Sequence, residues 1–260
     1  GLIDAAEFYE RIMGKINNSK GYDDAMSFTQ MSTNVLDEPY KENYANVYEK
    51  GALINMCLDI ILREQSQGEK GVLWMMQQLS NKYGKNVPFE DADLMDEIVA
   101  MTYPEVRSFF DAHVIGDTPI DYGTFFAKVG LGITESEKQT GYFLDGDMPF
   151  IDVDQKNNNA IYVRKGIDLN TFFTDLGLQG GDVIKKINGT DIDLEAIRGV
   201  IGQSFGWTPD TDITMVVERD GQEMEISGKV GTPMAKEKIL APLDSATAAQ
   251  NQLREAWMKG

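Results

Sequence analysis

The chain has 260 residues, 42% of them hydrophobic, enough for two modest domains with real cores and too apolar for a disordered tract. Twenty-four basic residues against 42 acidic ones leave a formal charge of −18, which repels phosphate backbones and anionic headgroups and excludes nucleic acid and acidic lipid as natural partners. A single cysteine, Cys57, excludes an internal disulfide, and the longest apolar stretch, Gly51 to Leu62, is too short for the ~20 residues of a membrane span.

Read in chain order, residues 3–17 carry Ile3, Phe8, Ile12 and Ile16 at helical spacing, with Asp4 placed to cap the first turn. Nothing at Gly1-Leu2-Ile3-Asp4 reads as a signal peptide, and the abrupt start reads as if upstream sequence were cut away or never included. Residues 21–40 are weaker, with Met26, Phe28 and Met31 in a polar background closed by Pro39.

A strong helix is expected from about Asn43 to Gln65. Its apolar residues, from Val47 through Leu53, Ile54, Met56 and Leu58 to Ile60, Ile61 and Leu62, cover most of the circumference and call for a central, surrounded position. Gly68 breaks it. Residues 70–83 give another helix with Leu73, Met76 and Leu79 on one side, ended by Gly84. Phe89 to Met101 and Glu105 to Val114 read as shorter amphipathic helices split by Pro104, and Asp121 to Val129 as one more. The first half is therefore a helical bundle with short loops.

After Leu131 the period changes to strand-like alternation: Ile151 with Val153, Ile161 with Val163, and Ile213 with Met215 and Val217. Asp220-Gly221 marks a tight hairpin, and Asp193 can cap a helix carrying Leu194, Ile197 and Ile201. The boundary falls in Gly132 to Thr140. The expected organisation is 1–135 helical, 136–232 small and strand-rich, and 233–260 a polar linker with Pro233 and Pro242 leading to a helix with Leu253 and Trp257 on one face.

The run Gly177-Leu178-Gln179-Gly180-Gly181-Asp182-Val183-Ile184, followed by Ile187-Asn188-Gly189, resembles the PDZ signature over roughly residues 140–232. Its glycines permit a tight reversal, Val183, Ile184 and Ile187 supply core, and Asn-Gly turns the chain back. The resemblance implies that an extended peptide is taken as an added strand beside the helix Leu194 to Gln203, or that the domain packs internally as a spacer. Met148, Pro149, Phe150 and Ile151 match the carboxylate-holding loop best, with Ile197 and Ile201 on the helix as the other peptide-binding candidates. Pro149 removes an N–H from that loop, and Asp145 and Asp147 would repel a carboxylate.

In the first half, Tyr48-Glu49-Lys50-Gly51-Ala52-Leu53, then Leu58-Asp59, Leu62-Arg63, Tyr83-Gly84 and Phe109-Phe110-Asp111, resembles the rear of the catalytic domain of gluzincin aminopeptidases. The match is closest to the glycyl aminopeptidase family, whose members also carry a PDZ domain. That resemblance implies a zinc-dependent aminopeptidase acting on peptide or protein N-termini. Tyr48 would be the catalytic tyrosine whose phenol donates a hydrogen bond to the oxyanion; the alternative is a buried tyrosine on a packed helix.

The family's zinc motif, His-Glu-x-x-His with a later Glu, is not in this sequence. Its single histidine, His113, and single cysteine cannot make that site, so no metal ligand is expected here. The resemblance places zinc in a full-length parent, with the N-terminal part of the catalytic domain as partner, and implies that this chain alone is inactive. Whether the parent keeps its ligands stays open, as does a non-catalytic peptide-binding role. The family is often exported in bacteria, which implies a periplasmic or cell-envelope location. Asp145-Gly146-Asp147 with Asp152 and Asp154 lacks the glutamate that closes a calcium loop, and Met75-Met76 and Phe125-Phe126 read as packing.

Overall fold

A computed structural model of the chain describes residues 3–260; Gly1 and Leu2, where the abrupt start was noted, lie outside the described residues. The fold is mixed α/β. It divides into two compact units, Gly1–Thr134 with Ile239–Gly260, and Glu135–Lys238.

The first unit opens with α1 (Ala5–Ser19), whose Asp4 carboxylate accepts the Glu7 N–H at 2.9 Å, the expected cap. Then come α2 (Phe28–Thr33) and α3 (Tyr40–Asn43), a 3-10 turn over Tyr44–Val47, and α4 (Lys50–Gln65). Two asparagines delay α4 by a turn or more relative to the expected Asn43 start. Asn43 Oδ1 accepts the Asp23 N–H at 2.8 Å, and Asn46 Oδ1 accepts the Lys50 N–H at 3.2 Å. Such side chains offer the backbone a non-helical alternative.

Helix α5 (Val72–Lys82) buries Met75, with Val72 and Leu79 packed beside it, a spacing of i, i+3, i+7. The expected face of Leu73 and Met76 is exposed instead. Helix α6 (Leu94–Met101) starts later than Phe89, because the Phe89 ring turns edge-on to Tyr83 and Asp93 N–H closes a turn on Glu90 O. It is followed by α7 (Pro104–Phe110), a π-turn over Asp111–Ile115, and α8 (Tyr122–Lys128). α4 contacts α1, α5, α7 and α8, and Leu53, Cys57, Ile60 and Leu62 along it are fully buried, the central position that its all-round apolar pattern demands.

Most of Gly132 to Thr140, the stretch in which the boundary was expected, is strand β1 (Leu131–Gln139). The second unit continues through β2 (Leu144–Asp145), β3 (Met148–Pro149), β4 (Ile151–Asp154), β5 (Ala160–Val163), α9 (Thr171–Asp175), β6 (Val183–Ile187), β7 (Thr190–Asp191), α10 (Leu194–Ser204), β8 (Asp212–Arg219) and β9 (Gln222–Lys229). An antiparallel sheet runs β4-β5-β6-β8-β9, with β7 on β6. The Asn-Gly and Asp-Gly turns form as the sequence asks. Asn188, Gly189, Asp220 and Gly221 all take positive φ, the backbone of tight hairpins that match strand twist. Phe143, Phe173, Ile184, Ile187 and Met215 fill the core under the sheet.

The expected linker is largely strand β10 (Met234–Pro242), paired with β1, before α11 (Ala248–Lys259). Its Lys236-Glu237-Lys238 run hides the alternation in sequence, yet Glu237 reaches Lys138 at 3.6 Å and Lys236 reaches Glu135 at 3.8 Å across the ladder. Helix α11 packs on α4, and its Trp257 meets Phe8 edge-on at 5.2 Å.

Candidate functional site

Tyr48 ends the 3-10 turn, directly before α4, with helical backbone angles and its N–H on Ala45 O. It is neither buried nor on the packed helix, being 71% exposed. Its main chain is held firmly all the same. From α1, Lys15 Nζ donates to Tyr48 O at 2.8 Å and pairs with Glu49 Oε2 at 3.3 Å. Beneath it, Asn46 and Lys50 are each only 2% exposed. Lys50 Nζ donates to Asp24 O at 2.6 Å and lies 2.9 Å from Asp24 Oδ1. A phenol on a clamped backbone, facing outward, can present a neutral hydrogen-bond donor to a group outside the described unit.

The sequence reading missed Lys15, Asn46, Lys50 and Asp24 as supports. One signal was present: a lysine in the first turn of an apolar helix opposes the helix dipole and needs a local acceptor.

Among the described residues, no three His, Cys, Asp or Glu side chains group so as to hold a metal ion. His113 lies in the π-turn, where its Nδ1 sits 2.8 Å from Thr118 O and its ring packs on Phe109. Cys57 is fully buried, and burial pushes its thiol far above the usual range, so its thiolate is unavailable as a ligand or nucleophile.

The PDZ-like candidates fall into two groups. Phe150, Ile151 and Ile197 are buried in the core of the second unit, with Ile201 packed partly against it, while Met148 is exposed. The loop backbone is partly committed: Phe150 N–H donates to Phe143 O at 2.9 Å, and Pro149 O accepts from Arg164 Nη1 at 3.2 Å. β4 is an edge strand of the described sheet. Arg164 N–H bonds Phe150 O, so alternation directs the peptide groups of Ile151 and Val153 away from β5 to the free edge. Of these, the Val153 N–H is occupied by Asp152 Oδ1 at 2.8 Å.

The family models contain no match to this chain. No curated protein matches it either. Among solved structures, the chain is similar to an aminopeptidase N family protein from Idiomarina loihiensis, at 16% identity and a TM-score of 0.52. The match covers 99% of this chain and 45% of that one, so the chain spans less than half of that protein and shares the fold of that part. Two structures of the PDZ domain of EpsC from Vibrio cholerae also match. One covers 31% of this chain and 75% of that one at 24% identity with a TM-score of 0.25. The other covers 31% and 91% at 26% identity with a TM-score of 0.24.

Proposed function

We propose that this chain is the C-terminal portion of a zinc-dependent aminopeptidase of glycyl aminopeptidase type, acting on peptide N-termini. The observation that carries the reading is Tyr48, an exposed phenol on a main chain pinned by Lys15 and by the buried Asn46 and Lys50, the latter paired with half-exposed Asp24. The Tyr-x-Lys-Gly order and the fold shared with part of an aminopeptidase N family protein support it. In this reading the metal, its ligands and the general base belong to a part of the protein outside this chain.

Tyr48 does the chemistry that this chain contributes. As the scissile carbonyl becomes tetrahedral, negative charge builds on its oxygen, and a fixed O–H donor lowers that state more than the ground state. Lys15, Asn46 and Lys50 are positioning residues: they hold the Tyr48 backbone so that the phenol needs no reorganisation.

The test compares this 260-residue chain with a protein extended upstream. Metal analysis and an assay with glycyl and alanyl substrates should find neither stoichiometric zinc nor turnover in the chain alone, and both in the extended protein. Zinc-dependent turnover by the chain alone would overturn the reading.

A second reading, a non-catalytic peptide-binding module, is favoured by the open β4 edge, where the Ile151 peptide groups face outward. Micromolar binding of peptides with free C-termini, together with a Tyr48→Phe change that is silent in the extended protein, would select it.

A further inference from the structure

In the first unit, α5 and α6 enclose an apolar groove of about 580 Å³. Its floor is Met75 and Ile98, both buried; its walls include Met76, Leu79, Tyr83, Val87 and Phe89. Three of the wall side chains stand open to water, Met76 at 53%, Val87 at 54% and Phe89 at 45% exposure. Contiguous apolar surface of this kind is seldom left on a protein without a use. Methionines suit such a wall, because their unbranched, polarisable side chains adapt to different apolar groups.

The rim is acidic. Glu90, Asp91 and Asp93 join the lining residues Phe89 and Leu94, and all three acids are exposed. The neighbouring acids are already held, Glu97 by Lys82 and Asp96 by Arg107. Among the described residues, Glu90, Asp91 and Asp93 have no cationic partner. Of the lysines nearby in sequence, Lys82 is held by Glu97 and Lys85 lies in the turn bridged by Gly84 and Val87, so three unpaired acids against one lysine leave this segment with a net negative charge.

An apolar trough beside unpaired carboxylates is complementary to one kind of surface: a helix with an apolar stripe flanked by lysine or arginine. A second copy of the chain is a poor occupant, since −18 on each molecule sets acidic rim against acidic rim. We propose that this groove docks a cationic amphipathic helix of a partner protein. Side chains at i, i+3 or i+4, and i+7 of that helix enter between α5 and α6, and its flanking cations meet Glu90, Asp91 and Asp93.

The probe is a fluorescein-labelled Leu/Lys peptide of about 18 residues in amphipathic helical order, long enough to form a helix on binding. It is titrated with the 260-residue chain by anisotropy at about 0.15 M salt. The comparators are the same composition in scrambled order and a Leu/Glu peptide of the same pattern. Micromolar binding of the ordered Leu/Lys peptide is expected, with both comparators at least ~10-fold weaker.

Met76→Lys and Val87→Lys, both at half-exposed sites that tolerate the change, should each weaken binding by about 10-fold. Leu36→Lys, which adds the same charge at a residue that does not line the groove, should leave binding within about 2-fold. Equal binding of the scrambled peptide, or no loss on Met76→Lys, would overturn the proposal. So would a concentration-dependent dimer in sedimentation that Met76→Lys dissolves, since the face would then belong to a second copy.

Discussion

Lys50 Nζ stands 2.9 Å from Asp24 Oδ1 and 2.6 Å from the carbonyl oxygen of the same residue. The lysine is buried and the aspartate half-exposed. The pair ties the segment before α2 to the first turn of α4, immediately after Tyr48. Its asymmetry sets an order of effects. Asp24→Ala leaves an ammonium buried with only a carbonyl, and should cost toward the lower end of about 3–5 kcal/mol. Lys50→Met frees a carboxylate that water can reach, and should cost less, about 1–3 kcal/mol. Urea unfolding of both variants checks the order, and an equal or reversed ranking would refute it.

Tyr48→Phe removes one hydroxyl from an exposed ring. In the extended protein kcat should fall by about 10²–10³ with KM little changed, as expected for a donor used only in the transition state. Thermal unfolding of the chain itself should be unaltered. A drop in stability with kcat intact would make Tyr48 a packing residue.

Arg219 grips Asp182 through Nε and Nη2, both at 2.7 Å, while Asp182 Oδ2 also accepts the Gln179 N–H at 2.8 Å. Asp182 is 1% exposed, so Arg219→Ala strands a buried carboxylate. A loss of about 3–5 kcal/mol is expected for the strand-rich unit, with Arg219→Lys recovering part of it but not the two-point grip. Unfolding followed by Trp207 fluorescence in this unit is the measurement. A cost below about 1 kcal/mol would show that water reaches Asp182.

Stability should fall in alkali. Burial pushes the Cys57 thiol upward, and burial also raises the Tyr122 phenol, whose hydroxyl has no partner among the described residues. The folded chain holds both groups protonated where the unfolded chain ionises them. The unfolded state therefore binds fewer protons, and stability declines as pH rises above the ordinary thiol value of 9.0. Urea midpoints at about pH 7.5 and about pH 10 should show the decline, and Cys57→Ala should make it shallower. A thiol reagent should label Cys57 only on unfolding.

Much of the local structure was legible because its causes are local. The Asp4 cap, the all-round apolar α4, and the Asn188-Gly189 and Asp220-Gly221 turns each depend on a few adjacent residues. Tyr48 was singled out by the family resemblance that its sequence neighbours carry. The departures arose where particular partners, some a few residues away and some distant, compete with the preference of the periodic pattern. Asn43 and Asn46 found hydrogen bonds that shortened α4, and Phe89 left its helix for Tyr83. Lys236 to Lys238, polar enough to read as a linker, became a strand because β1 offered a ladder and matching charges.

The sequence by itself therefore determined a mixed α/β chain and, through the resemblance it carries, a tyrosine worth testing. Only the tertiary structure decided that Tyr48 is exposed yet clamped, that Phe150 and Ile197 are core, and that Met76 lies open while Met75 is buried. Exposure is a property of what packs against a side chain, and a helix of given period can be turned on its axis by neighbours far away in the chain.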